Sequence, residues 1–252
     1  MSATPPRALS FDSAAAQYAA NRPGYPPALL DAVEELAGRA LPGARAVDVG
    51  AGTGIATRML LARGARVTAV EPGPGMAAEL HRSLPSVPVV LGDGNRLPLA
   101  TASADLITYA QSWHWTDPSR SLPEALRVLR PGGSLALWWN VSDGSVSWIA
   151  EQGIRLGRHL GIGDGAHGTP GGSGSRNAGT LSGGFARRLL PWSRTVPVDT
   201  HLANLATHSA FLVRDGESTR RFLDEERGHL AAVFPDGTVE ERYVVELAVL
   251  TG

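Results

Sequence analysis

The residues with the most chemistry in them are Val47-Asp48-Val49-Gly50-Ala51-Gly52-Thr53-Gly54, an acidic residue inside an apolar run that leads into glycines at alternate positions. Positions without a side chain let a ligand approach the backbone closely. A dinucleotide-binding turn would place its third glycine three residues after the second, and that position is Ile55. Glycines at 50, 52 and 54 therefore depart from a pyrophosphate-binding turn. A carboxylate beside alternating glycines suits instead a compact zwitterion, whose amine and carboxylate are met by carbonyls and amides together.

Two further segments extend this reading. Glu71 ends the next apolar run, 17 residues after Gly54, where a carboxylate can accept from both hydroxyls of a ribose. Gly92-Asp93-Gly94 follows the third run: Asp93 would accept from an exocyclic adenine amine, and a neighbouring amide would meet a ring nitrogen. Met76 would pack on the adenine face. An adenosine bearing an amino-acid end, as in S-adenosylmethionine, satisfies all of these positions.

Such residues need strands to deliver them to one place. From about residue 44 to 140 a short apolar run, a turn and a helical stretch repeat, the pattern of a parallel sheet with crossover helices. The runs are Ala46–Val49, Val67–Val70, Val87–Leu91, Leu106–Tyr109 and Leu135–Trp139. Thr53 to Arg63 reads as helical, with Gly64 as a left-handed terminator. Ser121 and Glu124 have capping-box spacing, and Pro131-Gly132-Gly133 stops that helix. Residues 1–40 are read as an N-terminal helical lid, with helices at Ser13–Ala20 and Pro27–Ala37, and residues 41–140 as the core. Residues 141–215 are read as a lid with a helix at Ser147–Leu160, a mobile glycine-rich loop at 161–184, a strand-like Val196-Pro197-Val198 and a helix at Asp199–Val213. Residues 216–252 complete the core with a helix at Ser218–Val233 and a strand at Tyr243–Leu250.

Inventory removes other chemistries. The 252 residues carry a net charge of −1 and no cysteine, which excludes thiol nucleophiles, disulfides and cysteine-held metal clusters. All 23 basic residues are arginine, so Schiff-base and P-loop lysine chemistry are excluded as well. No basic stripe suggests nucleic acid, and no apolar run suggests a leader or a membrane span, so a cytoplasmic protein with a small-molecule substrate is expected. His201 with His208, and Glu225 with His229, share helical faces, but no further ligands converge and no metal is expected. Oligomeric state is not legible.

Val47 to Gly54, Glu71-Pro72, Gly92 to Leu99, Ala104-Asp105-Leu106-Ile107 and Leu129 to Gly133 resemble, in order and spacing, the successive motifs of class I S-adenosylmethionine-dependent methyltransferases. Within that family the chain is similar to the small-molecule enzymes of ubiquinone and trans-aconitate type. Phe11, Tyr18, Arg22-Pro23 and Tyr25-Pro26 carry this in front, and Gln111-Ser112-Trp113-His114-Trp115 after the fourth strand. Gly94 stands where the family commonly has alanine. The resemblance implies an α/β fold: a Rossmann-like seven-stranded, mostly parallel sheet with helices on both faces, the last strand antiparallel, and a helical lid. It also implies S-adenosylmethionine as cofactor. Asp48, Gly50, Ala51 and Gly52 would hold the methionine moiety, Glu71 the ribose, and Met76, Asp93 and Gly94 the adenine. Tyr18 and Arg22 would close over the cofactor, Arg22 gripping its carboxylate in two-pronged fashion. Gln111 and His114 would face the methyl group. His114 would be the base for a hydroxyl acceptor, or only orient an amine or carboxylate. Two other readings stand beside methyl transfer: a protein that uses the bound cofactor without transferring methyl, and an NAD-dependent oxidoreductase on a similar sheet.

Overall fold

The structure is a computed structural model that describes residues 21–161, 183–207, 211 and 216–252. Its elements are α1 (Ala28–Ala37), β1 (Arg45–Val49), α2 (Ile55–Ala62), β2 (Arg66–Glu71), α3 (Pro74–Ser83), β3 (Val89–Leu91), β4 (Ala104–Ala110), α4 (Pro118–Val128), β5 (Leu129–Ser142), α5 (Ser147–Leu160), β6 (Ala186–Pro197), α6 (Val198–Ala206), α7 (Gly216–Val233) and β7 (Thr238–Thr251). One sheet contains all seven strands in the order β3-β2-β1-β4-β5-β7-β6. β7 runs antiparallel to both neighbours, and the other pairings are parallel.

Period-two alternation divides the core between the two faces. Ala46, Leu106, Ala136 and Trp138 point to one side, where α1 and α2 bring Leu29, Val33 and Leu60. Val47, Ile107, Tyr109, Leu135 and Trp139 point to the other, against Ala125 and Val128 of α4. Because β1, β4 and the first half of β5 are covered on both faces, their sequences read as continuous apolar runs. Strand order reverses between β1 and β4, so the crevice at their C-terminal ends is where an open α/β sheet binds ligands.

Helices α5, α6 and α7 pack into a small core of their own. Leu156, Leu160, Leu205, Phe211 and Phe222 form one cluster, and Val198, Leu202, Leu230 and Val239 another. A buried polar chain joins these helices to the sheet. His201 Nδ1 lies 2.7 Å from Glu241 Oε1, and His201 Nε2 lies 3.1 Å from Gln152 Oε1. Gln152 Nε2 donates to Glu226 at 3.2 Å, Arg155 also pairs with Glu226, and Arg194 pairs with Glu241.

Three local expectations are corrected. Ser121 and Glu124 do not form a capping box: α4 starts three residues earlier at Pro118, and the Asp117 carboxylate accepts the Ser119 N–H at 3.0 Å. Ser121 Oγ instead donates back to the Asp117 carbonyl, and Glu124 accepts the Leu97 N–H at 2.9 Å. β5 begins at Leu129, so Pro131-Gly132-Gly133 lies inside the strand rather than in a turn. Residues 186–197, assigned from sequence to the lid, are the outermost strand of the sheet; the expected three-residue run was only its end. Tyr18, His208, the helix expected at 13–20 and nearly all of the expected mobile loop lie outside the described residues.

Candidate active site

β1 delivers Asp48 to the crevice, and the turn that follows is set by its glycines. Gly50, Gly52 and Gly54 have φ of +65°, +57° and +89°, the left-handed region that side chains disfavour. The turn spends its amides inward. Gly50 N–H and Ala51 N–H donate to the Val70 carbonyl at 2.8 and 3.2 Å, Gly54 N–H to the Ala51 carbonyl at 2.9 Å, and Gly52 N–H to Glu71 Oε2 at 2.8 Å. A pyrophosphate cradle needs those same amides pointing outward.

The Glu71 carboxylate is therefore a clamp as well as a candidate ligand group. Its second oxygen accepts the Gly73 N–H at 2.9 Å, so one carboxylate ties the β1 turn to the β2 turn. Gly73 precedes α3, whose first turn carries the buried Met76, which places Met76 and Glu71 at neighbouring positions of the same crevice. Asp93 Oδ1 accepts the Asn95 N–H at 2.7 Å and shapes the third turn. Gly94 beside it is sterically required: a Cβ there would lie 2.8 Å from Tyr109 Cε1 and 2.9 Å from Thr116 Cγ2. The departure from alanine is thus matched by the Tyr109 ring, whose hydroxyl donates to the Gly94 carbonyl at 3.2 Å. Burial, then the charges of Asp93 and Glu124, push the Tyr109 phenol above its ordinary value, so it stays protonated.

Asp48 itself is fully buried. Thr57 donates to Oδ2 at 2.6 Å and Thr108 to Oδ1 at 3.0 Å. Burial raises its pKa, and the two threonine hydroxyls oppose that rise. Through these bonds the carboxylate braces β1 against α2 and β4.

The loop Gln111–Trp115 follows β4. Gln111 follows the strand at φ +58°, a conformation uncommon for a residue with a side chain, held by its N–H on the Trp138 carbonyl at 2.9 Å. Its Nε2 donates to the Asn140 carbonyl at 3.2 Å. Ser112 is a residue that motif reading passed over. Its Oγ donates to the Val49 carbonyl at 2.5 Å, and a Cβ on Gly50 would sit 2.5 Å from the Ser112 Cβ. This contact butts the acceptor-side loop against the glycine turn. His114 is in a short 3₁₀ segment, Trp113–Trp115, with its outer edge exposed and its ring 4.7 Å from that of Trp115. Trp139 Nε1 donates to His114 Nδ1 at 3.4 Å. Crowding by the surrounding protein pushes the His114 pKa down to about 4.

The segment at 21–26 crosses the same end of the sheet. Arg22 donates to the Thr207 carbonyl at 3.3 Å, Arg194 to the Asn21 carbonyl at 3.1 Å, and Asn140 Nδ2 to the Gly24 carbonyl at 3.4 Å. Tyr25 meets Trp138 edge-on at 5.9 Å. Among the described residues no cluster of histidine and carboxylate is arranged to hold a metal ion, and no helix is long and apolar enough to cross a membrane.

Residues 47–137 match the family described as "Methyltransferase domain". The match starts in β1 and ends in β5, enclosing the whole crevice. This segment is similar to methyltransferase domains. Over 150 residues the chain is 45% identical to an uncharacterized methyltransferase of Mycobacterium tuberculosis (strain H37Rv), the alignment covering 60% of each chain. The chain thus spans about 60% of the length of the curated relatives it matches first. A demethylmenaquinone methyltransferase of Beutenbergia cavernae is 39% identical over 99 residues, 39% of this chain and 41% of its own. A solved structure described as "a Putative Type II Methyltransferase from Anaeromyxobacter dehalogenans" aligns with a TM-score of 0.67 at 28% identity, covering 92% of this chain and 97% of that one.

Proposed function

We propose that the protein transfers a methyl group from S-adenosylmethionine to a small-molecule acceptor. The observation that carries this is the Glu71 clamp on a turn whose amides are already spent. Such a turn presents carbonyl oxygens, which suit an ammonium group and repel a phosphate. The site also has room and an orphan: a Cβ on Gly52 would meet nothing within 4 Å, and the buried Thr53 hydroxyl in the same turn has no hydrogen-bond partner among the described residues. Both features fit a ligand lying along the turn.

In this reading Asp48, Gly50, Ala51 and Gly52 hold the amino-acid end, Glu71 the ribose, and Met76, Asp93 and Gly94 the adenine, with Arg22 and Tyr18 closing from the N-terminal segment. Bound there, the cofactor supplies an electrophilic methyl on a positively charged sulfur. The chain's own task is alignment and exclusion of water, and positioning alone supplies roughly 7–11 kcal/mol when geometry is good. Gln111 and His114 orient the acceptor. His114 suits orientation better than base catalysis: a conjugate acid with a pKa of about 4 is a weak base at neutral pH. Its Nδ1 accepts from Trp139, so the neutral ring carries its proton on Nε2 and offers a donor. That favours an acceptor that needs no deprotonation by the enzyme before attack, such as a carboxylate or an amine bound as its free base.

Isothermal titration tests the reading: S-adenosylmethionine and S-adenosylhomocysteine should both bind, and NADH, followed by fluorescence, should not. Glu71→Ala should weaken both cofactor affinities by about tenfold or more, the equivalent of one charge-assisted hydrogen-bonding group. Binding of neither compound would end the proposal, and binding without release of S-adenosylhomocysteine during turnover would favour the use of the cofactor without methyl transfer.

A further inference from the structure

At the pole opposite the glycine turn, the loop after α1 and the N-terminal ends of β1, β4 and β5 gather three arginines around one carboxylate. The Asp105 side chain is 4% exposed; its Oδ1 takes Arg39 at 3.0 Å, and its Oδ2 lies 3.8 Å from Arg45 Nε and accepts the Arg45 N–H at 2.8 Å. Arg130 contacts the same carboxylate. Arg39 is further fixed by donation to the Gly132 carbonyl at 3.3 Å. Neighbouring carboxylates are committed elsewhere, Glu34 to Arg63 and Glu35 to Arg188. Among the described residues, then, three guanidinium groups share one negative charge, and Arg66 stands beside Arg45 in the parallel register. The repulsion shows on Arg130, whose pKa is lowered by burial and then by the charges of Arg45 and Arg39.

An ion pair built only for stability needs one cation for Asp105. Two more, held on rigid strand ends, raise the repulsion unless another anion completes the set. The three side chains are 37%, 49% and 38% exposed, so their remaining donors are open to solvent while their positions stay fixed. Guanidinium forks match the paired oxygens of a tetrahedral oxyanion. We propose that Arg39, Arg45 and Arg130 form a binding site for a phosphoryl group, whether free phosphate or the terminal group of a larger molecule. The site is separate from the crevice and does not depend on the proposed methyl transfer.

Thermal unfolding in rising inorganic phosphate, at ionic strength held constant with chloride, should show a saturable rise in midpoint. Arg45→Gln, which leaves Asp105 held by Arg39, Arg130 and a backbone N–H, should weaken apparent phosphate affinity by about tenfold. Arg220→Gln, on the exposed surface of α7, should leave it unchanged. Glycerol 3-phosphate in a second titration distinguishes the sources: equal affinity assigns recognition to the phosphoryl group alone, and tighter binding assigns it to an organic phosphate. Should Arg45→Gln fold poorly, arginine Nε–H resonances of the unaltered protein report the same event, with shifts expected at Arg39, Arg45 and Arg130. A chloride-matched midpoint that does not move, or a phosphate response that Arg45→Gln retains in full, overturns the site.

Discussion

Two glycines in the crevice make opposite demands. Gly94 has ordinary backbone but no room, so Gly94→Ala should force Tyr109 aside and destabilise by about 1–3 kcal/mol, seen as a fall of several degrees in melting temperature. Gly52 has room but a φ of +57°; Gly52→Ala should cost about 1 kcal/mol in stability and lower cofactor affinity more noticeably than melting temperature. Differential scanning fluorimetry beside cofactor titration separates the two. His114 carries a prediction in pH. Its pKa is lowered in the fold, so the uncharged ring contributes stability above its ordinary 6.5, and that contribution is lost as pH falls toward about 4. NMR titration of the ring should find its midpoint near 4, with single-turnover methyl transfer flat across neutral pH. A midpoint near 6.5 would restore the base. The residue types at these positions were legible in the sequence; their directions were not. Asp48 reads from the sequence as an acidic strand residue, but its bonds to Thr57 and Thr108, nine residues ahead and on another strand, are not legible there. Ser112 carried no signal, because a lone serine beside a tryptophan has no pattern.

At the level of elements, the buried strands and the β3 edge announced themselves and the β6 edge did not. β1, β2 and β4 are apolar runs, and Gly64 ends the first crossover in the left-handed conformation expected of it, at φ +91°. β6 escaped because its burial alternates between exposed and half-buried along all 12 residues, and its arginines and prolines read as loop. α4 was misplaced because Asp117-Pro118, a cap followed by proline in the first turn, competes with Ser121 and Glu124 and wins: Asp117 places its carboxylate on an amide of the helix's first turn, while Glu124 accepts from Leu97 outside it. The joint between lid and sheet is where an element-scale perturbation should be sharpest. Burial would raise the Glu241 pKa, but the bonds from His201 and Arg194 outweigh it and hold the carboxyl below its ordinary 4.5. Its contribution to stability is present above that value and is lost as pH falls through the lower, folded one. Glu241→Leu should cost about 3–5 kcal/mol by leaving Arg194 and His201 without their acceptor. Glu241→Gln should flatten the acid side of the stability profile, measured by urea unfolding at stepped pH.

Across the whole molecule, one pole carries the glycine turn, the acceptor-side loop and the segment at 21–26, and the other carries the Asp105 arginines. The sheet between them ends on one side at β6, which bears Pro191 and Pro197. Both have the same parity in the antiparallel ladder with β7. In a regular ladder a residue that cannot donate to β7 directs its nitrogen outward, so these two positions remove donors from the free margin. A neighbouring molecule seeking to extend the sheet there meets gaps in the row it must bond to, and fibril-like stacking is blocked at its first step. Pro191→Thr should therefore fill one gap and hasten thioflavin-positive aggregation on mild heating, while the original chain stays dispersed under the same conditions.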